Sequence, residues 1–173
     1  MKNDFINLTE ENVSDEHLCC IIRSRKSHPG ITAKREWLSD RLKEGHVFRK
    51  LNVKGTVFIE YAPLETAWVP VEGNQYYYIY CLWAVGEYKG KGYGKQLLEY
   101  CIADAKANKK SGICVLEQGS RKPGSQIKPL YKVMDFKSQI LLKAAISCWH
   151  YLLTVRCPVF VHPRNKSTFV IRS

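Results

Sequence analysis

The stretch Val85-Gly86-Glu87-Tyr88-Lys89-Gly90-Lys91-Gly92-Tyr93-Gly94-Lys95 decides how this chain folds. Before it, Tyr76 to Val85 is an almost unbroken aromatic and β-branched run, which reads as a strand buried on both faces. After it, Leu97, Leu98, Cys101, Ile102 and Ala105 recur at helical spacing. Gly90, Gly92 and Gly94 stand at every second position and let a backbone approach a partner closely, with its N–H groups aimed outward. The dipole of the following helix favours an anion at that spot, and the interleaved lysines add positive charge. Past the polar run Lys106 to Lys110 comes Ile113-Cys114-Val115-Leu116, a short buried strand. A right-handed crossover through the helix sets this strand parallel to Tyr76–Val85, so the fold class is α/β.

The spacing excludes two nucleotide-binding loops. A dinucleotide fingerprint needs a third glycine where Lys95 stands, and a Walker loop needs Ser or Thr where Gln96 follows Gly94-Lys95. The phrase Glu87 to Leu98 instead resembles the Q/R-x-x-G-x-G/A signature of the GNAT acetyltransferases. Lys89 stands at the Gln/Arg position, and Gly92 and Gly94 supply the glycines. The N-terminal part, from Cys19-Cys20 through Trp37-Leu38 to Val69-Pro70, resembles the YoaP-like branch of that family. The resemblance covers about residues 4–116.

It implies a GNAT fold, a mixed central sheet flanked by helices, and an N-acetyltransferase that passes an acetyl group from acetyl-CoA to a primary amine of a small molecule or peptide. By analogy, the pantetheine arm of acetyl-CoA lies between the two central parallel strands. Trp83, Ala84 and Val85 would offer backbone groups to it, and Lys89, Gly90, Lys91, Gly92, Tyr93, Gly94 and Lys95 would hold the pyrophosphate. One strand N–H would polarise the thioester carbonyl. Glu60 is the first candidate for the base that deprotonates the amine and Glu87 the second, although either also reads as a solvent-facing carboxylate on an alternating pattern. Leu130-Tyr131-Lys132-Val133-Met134-Asp135-Phe136 resembles the family's Leu-Tyr-x-x-x-Gly-Phe, which makes Tyr131, on a helix after the fifth strand, the acid for the leaving thiolate.

Elsewhere the pattern is ordinary. Residues 15–26 read as a helix with Leu18, Ile21 and Ile22 on one face, Ser27-His28-Pro29-Gly30 as a turn, and 33–44 as a second helix with Trp37, Leu38 and Leu42 inward. Val47–Leu51, Gly55–Tyr61 and Ala67–Val71 read as strands, the first two joined by a hairpin turn at Asn52-Val53-Lys54. Tyr76, Tyr77, Tyr78, Tyr80 and Trp83 suit an aromatic amine pocket or plain core. Lys137–Tyr151 carries a helical stripe through Ile140, Leu141, Ala144 and Ala145, and Cys157 to Ser173 has no clear period.

With 173 residues, 45% of them hydrophobic, the chain is long enough for one domain with a real core. No apolar run approaches the roughly 20 residues of a membrane span, and Met1-Lys2-Asn3-Asp4 does not open a signal peptide. Seven cysteines without a C-x-x-C pair argue for reduced thiols in a cytoplasmic protein. Cys19-Cys20 sit in an apolar pattern, and His17 completes no zinc spacing, so no metal site is expected. The expected state is a monomer or homodimer.

The net charge of +11 is uneven. Residues 1–116 hold 17 basic against 14 acidic side chains, and residues 117–173 hold 10 against 2. A basic tail suits a nucleic-acid binder, but no aromatics are interleaved to stack bases. The chain therefore divides into a GNAT core, 1–116, and a divergent basic part, 117–173, for which a shifted reading frame is one explanation. Read two nucleotides ahead, Lys132 to Phe136 can encode Ser-Tyr-Gly-Phe, and the single codons of Met134 and Trp149 force that Gly and an Ala. A damaged tail would leave an impaired remnant of the enzyme. The competing reading is a divergent C-terminus that still pairs.

Overall fold

Six strands lie in one sheet in the same order as along the chain. In this computed structural model residues 5–18, 29–53, 57–69, 71, 73–117 and 130–136 are described. The elements are β1 (Phe5–Asn7), α1 (Pro29–Leu42), β2 (Val47–Leu51), β3 (Val57–Pro63), β4 (Tyr76–Ala84), α2 (Tyr93–Ala107), β5 (Gly112–Glu117) and β6 (Leu130–Asp135), with one 3₁₀ turn at Gly86–Tyr88. β1 to β4 form an antiparallel meander. β4 and β5 are parallel across α2, as the crossover requires, and β6 returns antiparallel to β5.

Alternation along the strands separates two faces. On one, Val57, Ile59, Tyr61, Tyr77, Ile79 and Ile113 meet Leu97, Leu98, Cys101 and Ala105 of α2 in a continuous core. The Tyr61 hydroxyl donates to Asp104 Oδ2 at 2.9 Å and pins the helix to the sheet. On the other face Leu38 of α1 joins Phe48, Phe58, Leu8, Val13 and Leu18. The Phe48 and Phe58 rings stack there with centroids 4.8 Å apart.

Several expected boundaries move. α1 begins at Pro29-Gly30, read as a turn from the sequence; a proline's fixed φ and missing N–H suit the first turn of a helix, where the donor has no partner anyway. Ala67 to Val69 and Val71 form no strand. Ala67 N–H bonds Leu64 O at 3.2 Å, Val69 N–H bonds Ala67 O at 2.9 Å, and Trp68 N–H is taken by the Tyr80 hydroxyl at 3.1 Å, so local turns consume the ladder donors. Asp15 and Glu16 are turn and bend, and His17 and Leu18 have no regular structure, rather than the start of a helix. Leu130–Asp135 is a strand, not part of a helix, because the outer edge of β5 takes a partner along its whole length. The remainder of the expected helix at 15–26, the loop at 119–125, the helical stripe at 137–151 and the segment after 157 lie outside the described residues. Among the described residues no helix is long and apolar enough to cross a membrane.

Candidate active site

The site grows from an irregularity in β4. Glu60 pairs with Cys81 while the next residue, Tyr61, pairs with Ile79, so Tyr80 is the extra residue of a bulge. The β4–β5 ladder runs from Tyr76 and Gly112 to Ile79 and Val115 and ends there, although β4 continues to Ala84 and β5 to Glu117. Beyond the bulge the β4–β5 ladder does not continue, and among the described residues no strand is paired with the outer edge of β4 from Leu82 to Ala84. The burial expected on both faces holds for Tyr77, Tyr78 and Ile79 but not for Tyr80 to Trp83, which are half-buried along this opening. Ala84 is buried, and the Trp83 indole N–H is buried with no hydrogen-bond partner among the described residues.

The glycine loop closes the same end. Val85 is extended, Gly86–Tyr88 makes a 3₁₀ turn, and Gly90 and Gly92 take φ values of 78° and 81°. Both lie in the left-handed region, where a side chain is strained. A Cβ on either would meet nothing within 4 Å, so the space over the loop is open. Gly92 is the N-cap of α2 and offers no capping side chain, while its carbonyl accepts from Gln96 N–H at 3.1 Å. The first turn of α2 thus begins without a side-chain cap, at the positive end of the helix dipole. Lys89, Lys91 and Lys95 are exposed around it, and Gly94 is buried under the helix start. Tyr93 is held edge-on against Tyr88 and Phe5, with centroids 6.0 and 6.1 Å away. An uncapped, lysine-flanked helix start under open space fits a pyrophosphate, and a strand edge without a ladder fits an extended amide-bearing arm.

Across the bulge, on the α1 face, sits a charged cluster. Glu60 is 4% exposed. Its Oε1 accepts from Lys34 Nζ of α1 and lies 3.0 Å from His46 Nε2. The local sequence explains how His46 arrives there. Gly45, with φ of 85°, ends α1 in a Schellman turn: Gly45 N–H reaches Leu42 O at 3.2 Å and His46 N–H reaches Arg41 O at 3.1 Å. The His46 ring is then fixed between Trp37 and Tyr80, centroids 5.2 and 5.0 Å away. Lys34 Nζ also lies 4.3 Å from the centre of the Trp37 ring. Burial pushes the Tyr80 hydroxyl up to about 12. Burial also pushes the Glu60 carboxyl upward, but the charge of Lys34 and the bond and charge of His46 outweigh it and hold the group at about 2.

That value bears on the role expected of Glu60 as the base. It stands where the sequence put it, on the strand beside β4, but so acidic a carboxylate holds a proton too weakly to be an efficient base near neutral pH. Glu87 is exposed in the 3₁₀ turn, away from the cluster on β3. Tyr131 lies in β6 opposite Leu116, at the end of β5 beyond the last β4–β5 pair. Sequence reading missed Lys34 and His46. The Gly45-His46 pair after a helix was the available signal for the second; nothing local marked the first.

The acetyltransferase (GNAT) family model matches residues 11–136. A curated relative, the "Uncharacterized N-acetyltransferase YoaP" of Bacillus subtilis (strain 168), is 38% identical over 135 residues, which are 78% of this chain and 54% of that protein. The chain therefore spans about half the length of this relative. Two solved structures are similar at 15% identity. The ribosomal-protein-alanine N-acetyltransferase of Brucella melitensis has a TM-score of 0.47, covering 75% of this chain and 99% of that one. A putative GNAT acetyltransferase of Desulfovibrio desulfuricans has a TM-score of 0.42, covering 70% and 77%.

Proposed function

Since the chain belongs to the GNAT acetyltransferase family, we propose that it transfers the acetyl group of acetyl-CoA to a primary amine of a small molecule or peptide. The observation that carries this reading is the meeting of two openings at one end of the sheet. The β4–β5 ladder ends there, and the uncapped start of α2 faces open space beside the gap. In this reading Trp83, Ala84 and Val85 bond the pantetheine arm as a neighbouring strand would. The amides from Lys89 to Lys95 take the pyrophosphate, and the exposed lysines add long-range attraction.

The protein's part in the chemistry is positioning and charge. A β4 N–H directed at the thioester carbonyl stabilises the oxyanion that forms as the amine attacks. Holding amine and thioester together removes most of the entropy loss of a two-body encounter. Glu60, ionised throughout the neutral range, draws the acceptor's ammonium toward the gap rather than storing its proton. Tyr131, at the open end of the strands, is the proposed acid for the departing thiolate. The reduced thiols of Cys81, Cys101 and Cys114 suit a cytoplasmic setting for the proposed enzyme.

The test is acetyl-CoA binding by calorimetry, with thiol release on an amine panel, for the native protein and Gly92→Glu. A glutamate there brings a like charge to the pyrophosphate and a side chain into the left-handed region, so at least a tenfold loss of affinity is expected. Equal affinity in the two proteins refutes the site.

A further inference from the structure

The Glu60 cluster already holds an amine. Lys34 Nζ rests on Glu60 Oε1 and over the Trp37 ring, and its side chain keeps 20% of its exposure while the carboxylate keeps 6%. A carboxylate, an indole face and the rings of His46 and Tyr80 together make a built site for an alkylammonium group, with Lys34 as its occupant. Glu60 pairs directly with Cys81, so the backbone that carries this ion pair lies one strand spacing, ~4.8 Å, from β4 just past the bulge. Lys34 reaches it from α1 on a flexible four-carbon stem. Lys43 and Lys95, by contrast, are 56% and 62% exposed and paired only with surface carboxylates.

We propose that Lys34 is a self-acetylation site, its ε-amine taking the acetyl group from acetyl-CoA bound in the gap between β4 and β5. This rests on the acetyl-CoA reading above. The ammonium gives one proton to water, and the neutral amine attacks the thioester carbonyl. The N–C bond forms and the C–S bond breaks. The coenzyme leaves as thiolate and takes up the second proton lost by the nitrogen, so the step yields an amide, a thiol and one free proton. The product is neutral and cannot pair with Glu60, which is left with His46 alone. Acetylation therefore vacates the ammonium site and changes the charge that an incoming acceptor meets.

Purified protein incubated with isotopically labelled acetyl-CoA, then digested and mapped by mass spectrometry, tests this. The expected result is Lys34 labelled at least tenfold faster than Lys43 and Lys95, with a rate constant independent of protein concentration, and not labelled faster than they are in Gly92→Glu. Lys34→Arg, which keeps the ion pair, should fold with unchanged circular dichroism and lose only that label. If acetyl-CoA protects the protein against thermal unfolding but Lys34 is labelled no faster than the exposed lysines, self-acetylation is wrong and the cofactor site stands. If acetyl-CoA gives neither protection nor label, both readings fall. A Lys34 rate that rises in proportion to protein concentration also overturns the proposal, since transfer would then pass between molecules.

Discussion

Replacing Glu60 by Gln keeps the shape of the side chain and removes its charge, and the structure gives a magnitude for the loss. The carboxyl is held at about 2 against an ordinary value of 4.5. At ~1.4 kcal/mol per unit, that difference makes the ionised group worth about 3 kcal/mol to the folded state. The sign follows from which state binds the proton. Above pH 4.5 the carboxyl is ionised whether folded or unfolded, and the full contribution is present. Between 4.5 and 2 the unfolded chain takes up a proton that the folded chain refuses, so stability falls by ~1.4 kcal/mol per pH unit. Below 2 both states are protonated and the contribution is gone. Urea unfolding of the native protein and Glu60→Gln should therefore give a gap of about 3 kcal/mol at pH 7 that narrows as pH drops below 4.5. The other carboxylates titrate in both proteins and cancel. A gap that stays constant from pH 7 to pH 3, or a variant as stable as the native protein at pH 7, would refute the assignment of Lys34 and His46 as the charges that hold Glu60.

Tyr61→Phe removes one buried hydroxyl but leaves Asp104 half-exposed and still bonded by Asn108 Nδ2 at 3.1 Å. It should cost about 1 kcal/mol, seen as a fall of roughly 2–4 °C in Tm by scanning fluorimetry, with acetyl-CoA affinity unchanged. A tenfold weaker affinity would show that α2 needs this pin to present its first amides. The shifted-frame reading of residues 117–173 predicts an inserted or deleted base near codon 117 when the coding DNA is compared with that of close relatives. Stop codons before codon 150 in the shifted frame would end it.

What the sequence made legible was local. The strand at 76–84, the loop and the first four turns of α2 were readable because each is written in adjacent residues: a mainly aromatic run, left-handed glycines and a 3.6-residue apolar period. The parallel β4–β5 pair followed from that order by handedness alone. Three residues such as Phe5–Asn7 carry no period, so β1 was invisible until its edge pairing with β2 was seen. Ala67–Val71 has strand-like residues, but a hydroxyl from Tyr80 and nearby turns take its donors, and no local pattern carries such information. The Glu60 cluster was half legible for the same reason. Its carboxylate alternates on a strand, but the groups that set its acidity come from 26 residues upstream and 14 residues upstream. Burial and partners, not residue type, decided what that carboxylate can do.

The extra residue at Tyr80 divides one strand into two parts that answer to different demands. Up to Ile79, β4 is flanked by ladders on both sides, and its side chains fill the core. From Leu82 onward it has β3 on one side and the opening on the other. A substitution in the first part therefore registers as lost stability; in the second Ala84 is still core, and it is the backbone edge that faces the opening. Because the bulge absorbs its own residue without reversing any neighbour, deleting Tyr80 would leave the facing of Trp83 and Ala84 as it is. Deleting a residue from Cys81 to Trp83 would likewise be taken up by loss of the bulge, reversing only the residues between the deletion and Ile79. The bulge thus sets which way the last residues of the central strand face, while the Tyr80 side chain itself holds Trp68 N–H and the His46 ring in place.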